Sequence, residues 1–144
     1  MRRAFSLITA IFIILIISTL LMLMLSLSAQ SAKQTTDIYL KEQAELLARS
    51  ATEFAILAIS GHERNSTSKC VEKIDMQYPK NDPTFDINVS LLYIGKNLPC
   101  TPSNILNNNI ATDDSNGTVI IDTVVTTLQS DEPIRFHRRT IQKP

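Results

Sequence analysis

The first part of the chain divides into an unbroken apolar segment and an amphipathic one. In residues 5–27 the only polar side chains are serines and threonines, and no charged residue occurs between Arg3 and Lys33. A helix needs about 20 apolar residues to cross a bilayer core of about 30 Å, so residues 5–27 predict a membrane-spanning helix. Because two arginines precede this segment, the positive-inside rule predicts a cytoplasmic N-terminus and an exported remainder.

Residues 33–60 predict that the helix continues with one apolar face. No glycine or proline occurs in residues 5–60, so nothing forces a break, and Gly61 is a typical C-terminal stop. Apolar residues recur at spacings of three and four, which is the period of a helix that buries one side. The expected stripe consists of Leu40, Ala44, Leu47, Ala51, Phe54 and Ala58. We expect it to pack against a sheet formed by the rest of the chain.

Residues 61–144 predict a small β domain. Apolar and polar residues alternate, or β-branched residues cluster, in four segments that predict strands: 74–78, 85–93, 118–128 and 134–141. Turns are expected at 80–83 and 130–133, and a long irregular connection at 96–117. The expected fold class is therefore α+β, with a long N-terminal membrane-spanning helix followed by a small antiparallel β-sheet domain.

The only two cysteines, Cys70 and Cys100, lie on the predicted exported side, where oxidation is permitted. A domain this small often needs a covalent link, and closing a loop of about 30 residues would stabilise it by about 3–4 kcal/mol. We therefore predict a disulfide, with two buried free thiols as the alternative. The cysteines lack CxxC spacing and the chain has few histidines, which argues against a zinc site.

No set of residues in the sequence has the pattern of a catalytic site. Neither His62 nor His137 has a serine or cysteine at nucleophile spacing, so we do not expect an enzyme. Residues 113–117 superficially resemble a calcium loop, but they lack further acidic ligands and a terminal glutamate. Asn116 and Gly117 are better interpreted as a turn before a strand. No metal or cofactor is expected.

Three Asn-x-Ser/Thr sequons occur, each with an acidic residue two positions earlier. Their asparagines are Asn65, Asn88 and Asn116, preceded by Glu63, Asp86 and Asp114. This extended pattern resembles the acceptor sequence of bacterial N-glycosylation. The three asparagines are therefore candidate modification sites, two in predicted loops and Asn88 on the polar face of its predicted strand.

The last segment of the chain is basic although the whole chain has a formal net charge of zero. It carries Arg135, Arg138, Arg139 and Lys143, with no acid after Glu132. These side chains would be able to contact DNA phosphates. Basic residues at a sheet edge more often discourage strand-to-strand aggregation, so nucleic acid is kept only as an alternative partner.

The first eight residues resemble a type IV prepilin signal. Arg2-Arg3-Ala4 forms a short basic leader ending in a small residue, and Phe5-Ser6-Leu7-Ile8 opens the apolar helix. In type IV pilins and type II secretion pseudopilins, a dedicated prepilin peptidase cuts at this point and the new N-terminus is methylated. The resemblance implies a leader of residues 1–4, cleavage between Ala4 and Phe5, a methylated Phe5 and a pilin-like lollipop fold.

Two positions depart from the family pattern. Ala4 stands where the family usually has glycine, and Thr9 stands where it usually has glutamate as the fifth mature residue. That glutamate is thought to neutralise the free amine of a neighbouring subunit in the growing filament. The resemblance therefore implies a minor subunit at an initiating or tip position. Its partners would be the prepilin peptidase, the bacterial inner membrane and other subunits, contacted through the N-terminal helix.

Several alternatives to a secretion pseudopilin or pilus subunit stay open from the sequence. The apolar segment would also fit an uncleaved signal anchor or a conventional signal peptide cut near Ala29. The chain would then be a membrane-anchored periplasmic binding module or a secreted domain. Within the pilin-like family, a DNA-uptake (competence) pseudopilin is a further alternative.

Overall fold

The computed structural model describes residues 2–62, 69–110, 117–129 and 132–143. One helix is followed by five strands: α1 (Arg2–Gly61), β1 (Lys73–Tyr78), β2 (Phe85–Gly95), β3 (Ile105–Asn107), β4 (Gly117–Thr127) and β5 (Arg135–Gln142). The chain forms two compact units, Met1–Tyr39 and Leu40–Pro144. A long apolar N-terminal helix followed by a small antiparallel sheet confirms the α+β class expected from the sequence.

The first unit is helical from Arg2 to Tyr39, and its apolar side chains from Leu7 onward are exposed. Every residue from Leu7 to Thr36 is exposed. Two hydroxyls in this segment donate to backbone carbonyls of the preceding turn, Ser18 to Leu15 at 3.0 Å and Thr19 to Ile16 at 2.9 Å. These bonds satisfy polar groups that an apolar environment would otherwise leave without partners.

In the second unit, α1 buries a row of small side chains, which we call the alanine seam: Ala44, Ala48, Ala51 and Ala55. Ala44 and Ala51 were expected on the buried stripe, but Phe54 is 49 % exposed and the expectation for it was wrong. Ala48, Ala55 and Ile59 are buried instead. Alanines allow the helix backbone to lie close to its neighbours, so the buried face is centred on small residues and a phenylalanine lies at its border.

The sheet has the order β1-β2-β4-β5 with antiparallel neighbours, and β3 pairs with β2 in parallel. The four strands predicted from alternation are present. One further strand, β3, was not predicted. It lies within residues 96–117, which were expected to be irregular, so that expectation was wrong for this part of the segment. Only three residues long, β3 pairs Ile105 with Tyr93 of β2, and so short a strand has no periodic pattern that a sequence could reveal.

The strand register gives the sheet a helix-facing side and an open side. On the helix-facing side the buried side chains of β2 and β4 include Phe85, Val89, Leu91, Ile121 and Val125, which form one core with the alanine seam. Thr52 of α1 and Thr123 of β4 pair their hydroxyls at 3.3 Å within this layer. Polar residues alternate onto the open side, as expected from their period of two.

Candidate functional site

The positions singled out by the prepilin-type resemblance lie at the beginning of α1. Ala4 and Phe5, the predicted cleavage pair, are both helical, and the exposed Thr9 lies one turn further along. Cleavage, methylation and the assembly role of position 9 remain predictions.

The described part of α1 presents a long apolar surface. It is long and apolar enough to cross a membrane. Phe12 is 62 % exposed and Met22 is 76 % exposed, as examples of a surface that continues around the helix. A contiguous exposed apolar surface of this extent is suited to contact with lipid or with other apolar helices.

Cys70 and Cys100 lie at disulfide distance, with their Cα atoms 4.8 Å apart, and no cysteine is free. Both are nearly inaccessible. Close by, the Tyr93 hydroxyl donates to the Val71 carbonyl at 2.7 Å. This geometry fits the predicted disulfide, which links the segment after α1 to the loop after β2.

Of the three candidate glycosylation sites, the structure describes Asn88. It lies on the open side of β2 and is half-buried. Its Nδ2 donates to Oδ2 of Asp86 at 2.7 Å, so the amide that glycosylation would modify is bonded to the acidic residue of its own motif. Asn65, Asn116 and the calcium-like segment 113–116 lie outside the described residues. Glycosylation stays a prediction.

The register of β5 divides the basic residues between the two sides of the sheet. Arg135 and Arg139 lie opposite Thr126 and Asp122 on the open side. Arg138 lies opposite the buried Thr123 on the helix-facing side. The candidate basic cluster is therefore two separate features.

Asp122 of β4 neutralises part of the positive charge on the open side of the sheet. Arg139 Nη2 donates to Asp122 Oδ2 at 2.8 Å, and His137 Nε2 contacts Asp122 Oδ1. Partial burial raises the pKa of Asp122, but the hydrogen bonds and the electrostatic attraction of Arg139 and His137 together outweigh it and lower that pKa overall. The same contact raises the pKa of Arg139. Sequence reasoning missed Asp122, although an acid within a strand of valine, isoleucine and threonine was a usable signal.

A shallow apolar groove of about 240 Å³ lies between α1 and the edge strand β1. Leu47 and Phe54 of the helix and Met76 and Tyr78 of the strand line it, together with Ser50, Ala51, Gln77 and Ile87. In the part of the chain that the structure describes, no three histidine, cysteine or acidic side chains lie together as a metal site would require.

Comparisons with known proteins add no family name to these features. No protein-family model, no curated protein and no solved structure matches the chain.

Proposed function

We propose that this chain is a minor pilin or pseudopilin, a structural subunit that helps initiate or cap a type II secretion pseudopilus or a type IV pilus. The observation that carries the proposal is the basic leader ending at Ala4, directly before an apolar helix that starts Phe5-Ser6-Leu7-Ile8. In this proposal the subunit is held in the bacterial inner membrane with residues 1–4 cytoplasmic and the β domain periplasmic. The subunit would act by packing its N-terminal helix against the helices of other subunits.

The burial pattern of α1 supports an assembly role. Residues 7–36 are exposed and mostly apolar, whereas the alanine seam is buried. A helix that leaves lipid and joins other helices is favoured by an apolar surface, because each buried charge without a partner would be costly in both environments. Residues 5–27 have such a surface, with only hydroxyl side chains among the polar ones.

Thr9 supports a minor position. A threonine hydroxyl is uncharged and does not neutralise the free amine of a neighbouring subunit. In the proposed filament this subunit would therefore enter once, at the start or the tip, rather than repeat along the shaft.

Mass spectrometry of the mature N-terminus tests the proposal. The full chain is produced in membranes with and without a prepilin peptidase, beside Ala4→Gly, which restores the usual family residue, and Ala4→Leu, which enlarges the side chain before the cut. We expect the wild type and A4G to lose residues 1–4 and gain one methyl group on Phe5, and A4L to stay intact. An intact Met1 in all three, or a start near Ala29, would contradict the proposal and leave an anchored or secreted binding domain.

A second experiment tests the role of position 9. Thr9→Glu introduces the carboxylate that repeating subunits use, and Thr9→Gln is the matched uncharged control. We expect T9E to raise the number of copies of this subunit per filament and T9Q to leave it unchanged. Equal incorporation of wild type, T9E and T9Q would remove the argument for a minor position.

A further inference from the structure

We infer that the open side of the sheet pairs face to face with the open side of a second copy of this chain, around a two-fold axis parallel to the strands. The inference goes beyond the proposed function and does not depend on it, because it rests on the β domain and not on processing of the N-terminus. A two-fold pair is closed and does not grow into a filament, so it would enter an assembly as one unit.

An apolar row crosses the open side near one end of the sheet. The strand register aligns Leu92 of β2, Ile120 of β4 and Ile141 of β5 side by side. Leu92 and Ile120 are half-buried, and Ile141 is 68 % exposed. The solvent-facing side of an antiparallel sheet is ordinarily polar at such positions. The row therefore favours contact with another apolar surface.

The open side also carries one carboxylate and one guanidinium without an ion pair. Two ion pairs on this side are formed within the chain, Lys73 with Asp75 at 2.9 Å and Arg139 with Asp122 at 2.8 Å.

The remaining carboxylate and guanidinium of the open-side strand residues belong to Asp86 of β2 and Arg135 of β5. Among the described residues neither forms an ion pair. Both lie in one row across the sheet, with Thr126 of β4 between them. Both are reachable from outside, because Arg135 is exposed and Asp86 lines an open surface pocket. The face therefore offers one charge of each sign to a partner.

A two-fold axis parallel to the strands makes this face complementary to itself. The rotation keeps each row over the same row of the second copy and reverses the order of the strands, and sheets packed face to face commonly align their strands within about 30°. The apolar rows then cover each other, and Arg135 of each copy faces Asp86 of the other. An axis across the strands would lay the apolar row over charged rows instead. Charge complementarity therefore selects a second copy as the partner and sets its orientation.

The size of the face fits a specific but weak association. β2 and β4 are each 11 residues long, and β1 and β5 are 6 and 8 residues long. With about 3.4 Å per residue and about 4.8 Å between strands, the open side covers about 600 Å² in each copy. A pair would bury about 1,200 Å², which is the lower end for specific protein interfaces.

The test uses the full chain in detergent at about 100 µM, a concentration suited to a weak pair, and made in two forms that carry different affinity tags. The measurement is how much of one tagged form co-purifies with the other. A glycan on Asn88 would cover the same face, so unmodified protein is used. Arg135→Glu and Asp86→Arg each place like charges opposite each other twice in a pair of identical copies. We expect either variant alone to pair at least about tenfold more weakly than wild type.

Mixing the two variants is the control for misfolding. In a mixed pair the altered residue of R135E faces the altered residue of D86R, and the two unaltered residues face each other. Both contacts are then attractive, so we expect co-purification to return to the wild-type level. A variant that had lost its fold would not regain pairing on mixing.

Ile141→Ser tests the apolar row. It should weaken pairing about tenfold, because each copy loses a large apolar side chain from the interface. It should leave the urea midpoint of the unpaired protein nearly unchanged, since Ile141 is largely exposed there. Leu57→Ser is the matched control, because Leu57 is also 68 % exposed but lies on α1, and it should leave pairing unchanged.

Four results would overturn the inference. One is no co-purification of the wild type at about 100 µM, the concentration that an interface of this size requires. Another is co-purification that R135E, D86R and I141S all leave unchanged, which would assign the pairing to the N-terminal helix. A third is a mixture of R135E and D86R that pairs no better than either variant alone. The fourth is equal weakening of the pair by I141S and L57S.

Discussion

The two halves of α1 are both rich in apolar residues, yet they bury them in different ways. Residues 7–27 expose large apolar side chains on every side of the helix, whereas residues 44–59 bury a row of alanines against the sheet. The first half is suited to an apolar environment supplied from outside the chain, and the second half to one supplied by the chain's own strands. Side-chain size, as well as hydropathy, therefore indicates what a helix packs against.

Removing the disulfide should have the largest effect on the stability of the second half of α1 and the sheet it packs against. Replacing both Cys70 and Cys100 by alanine should lower the free energy of unfolding by about 3–4 kcal/mol, because the reduced chain gains the entropy of an open loop. Hydrogen exchange of the full chain in nanodiscs should show faster exchange for residues 40–61. Residues 7–27 serve as the internal control, since lipid protects them whatever the domain does. Unchanged protection of residues 40–61 would contradict this dependence.

A charge in the first half should have the next largest effect. Leu15→Arg should disfavour membrane insertion by about 2.5–3.5 kcal/mol, because the guanidinium would enter hydrocarbon near the centre of the span. The matched control is Leu46→Arg, at a position of similar exposure in the second half. Alkaline extraction of membranes measures the result. If L46R left the membrane fraction to the same extent as L15R, the distinction between the halves would fail.

Enlarging an alanine should reduce stability in the second half of α1 and have no such effect in the first half. Ala48→Leu should destabilise the domain by about 1–3 kcal/mol, because the extra atoms have no space between helix and sheet. Ala32→Leu, an exposed position, should have no such effect. Urea unfolding of both variants in detergent, followed by the tyrosine signal of the domain, gives the comparison. Equal stability of A48L and wild type would mean that the seam is loosely packed.

A substitution on the open side of the sheet should have the smallest effect on the stability of the domain. Asp122→Asn should cost less than about 1 kcal/mol at neutral pH, because both basic partners of Asp122 are well exposed. The pKa of Asp122 is lowered in the folded state, so its contribution is present above the usual aspartate range and is lost as pH falls through the lowered pKa. The gap in urea midpoint between D122N and wild type should therefore close in acid. A constant gap would show that charge is not its cause.

The sequence predicted those features that repeat along the chain. Alternation was sufficient to place β2 and β4, and an absence of glycine and proline was sufficient to predict a helix ending at Gly61. The length of the apolar run predicted a segment able to cross a membrane. These features depend on residues that are close in sequence, and such local relations are visible in the pattern of apolar and polar residues.

Features that depend on distant neighbours were missed. The choice between Phe54 and Ala55 as the buried residue depends on how the helix is rotated about its axis against the sheet, and the period alone does not reveal that rotation. Arg138 and Arg139 lie on opposite sides of β5 because side chains alternate along a strand, but which of them faces the helix depends on the register with β4. The partnership of Asp122 with Arg139 depends on the same register. The processing positions are predicted from a resemblance, and packing says nothing about them.

The alanine seam has a consequence for how sequences of this kind are free to diverge. Along the alanine seam, most of the volume between helix and sheet comes from strand residues such as Phe85, Leu91 and Ile121, while Ile59 adds one large buried side chain from the helix. A strand residue is able to shrink at the cost of a cavity, but a seam alanine has no room to grow unless a facing residue shrinks too. Among descendants of this chain, change at the seam should therefore be restricted to glycine and serine or be accompanied by a compensating change in the sheet. The small residues of the helix would set the distance between helix and sheet, and most sequence change in the core would occur at strand positions.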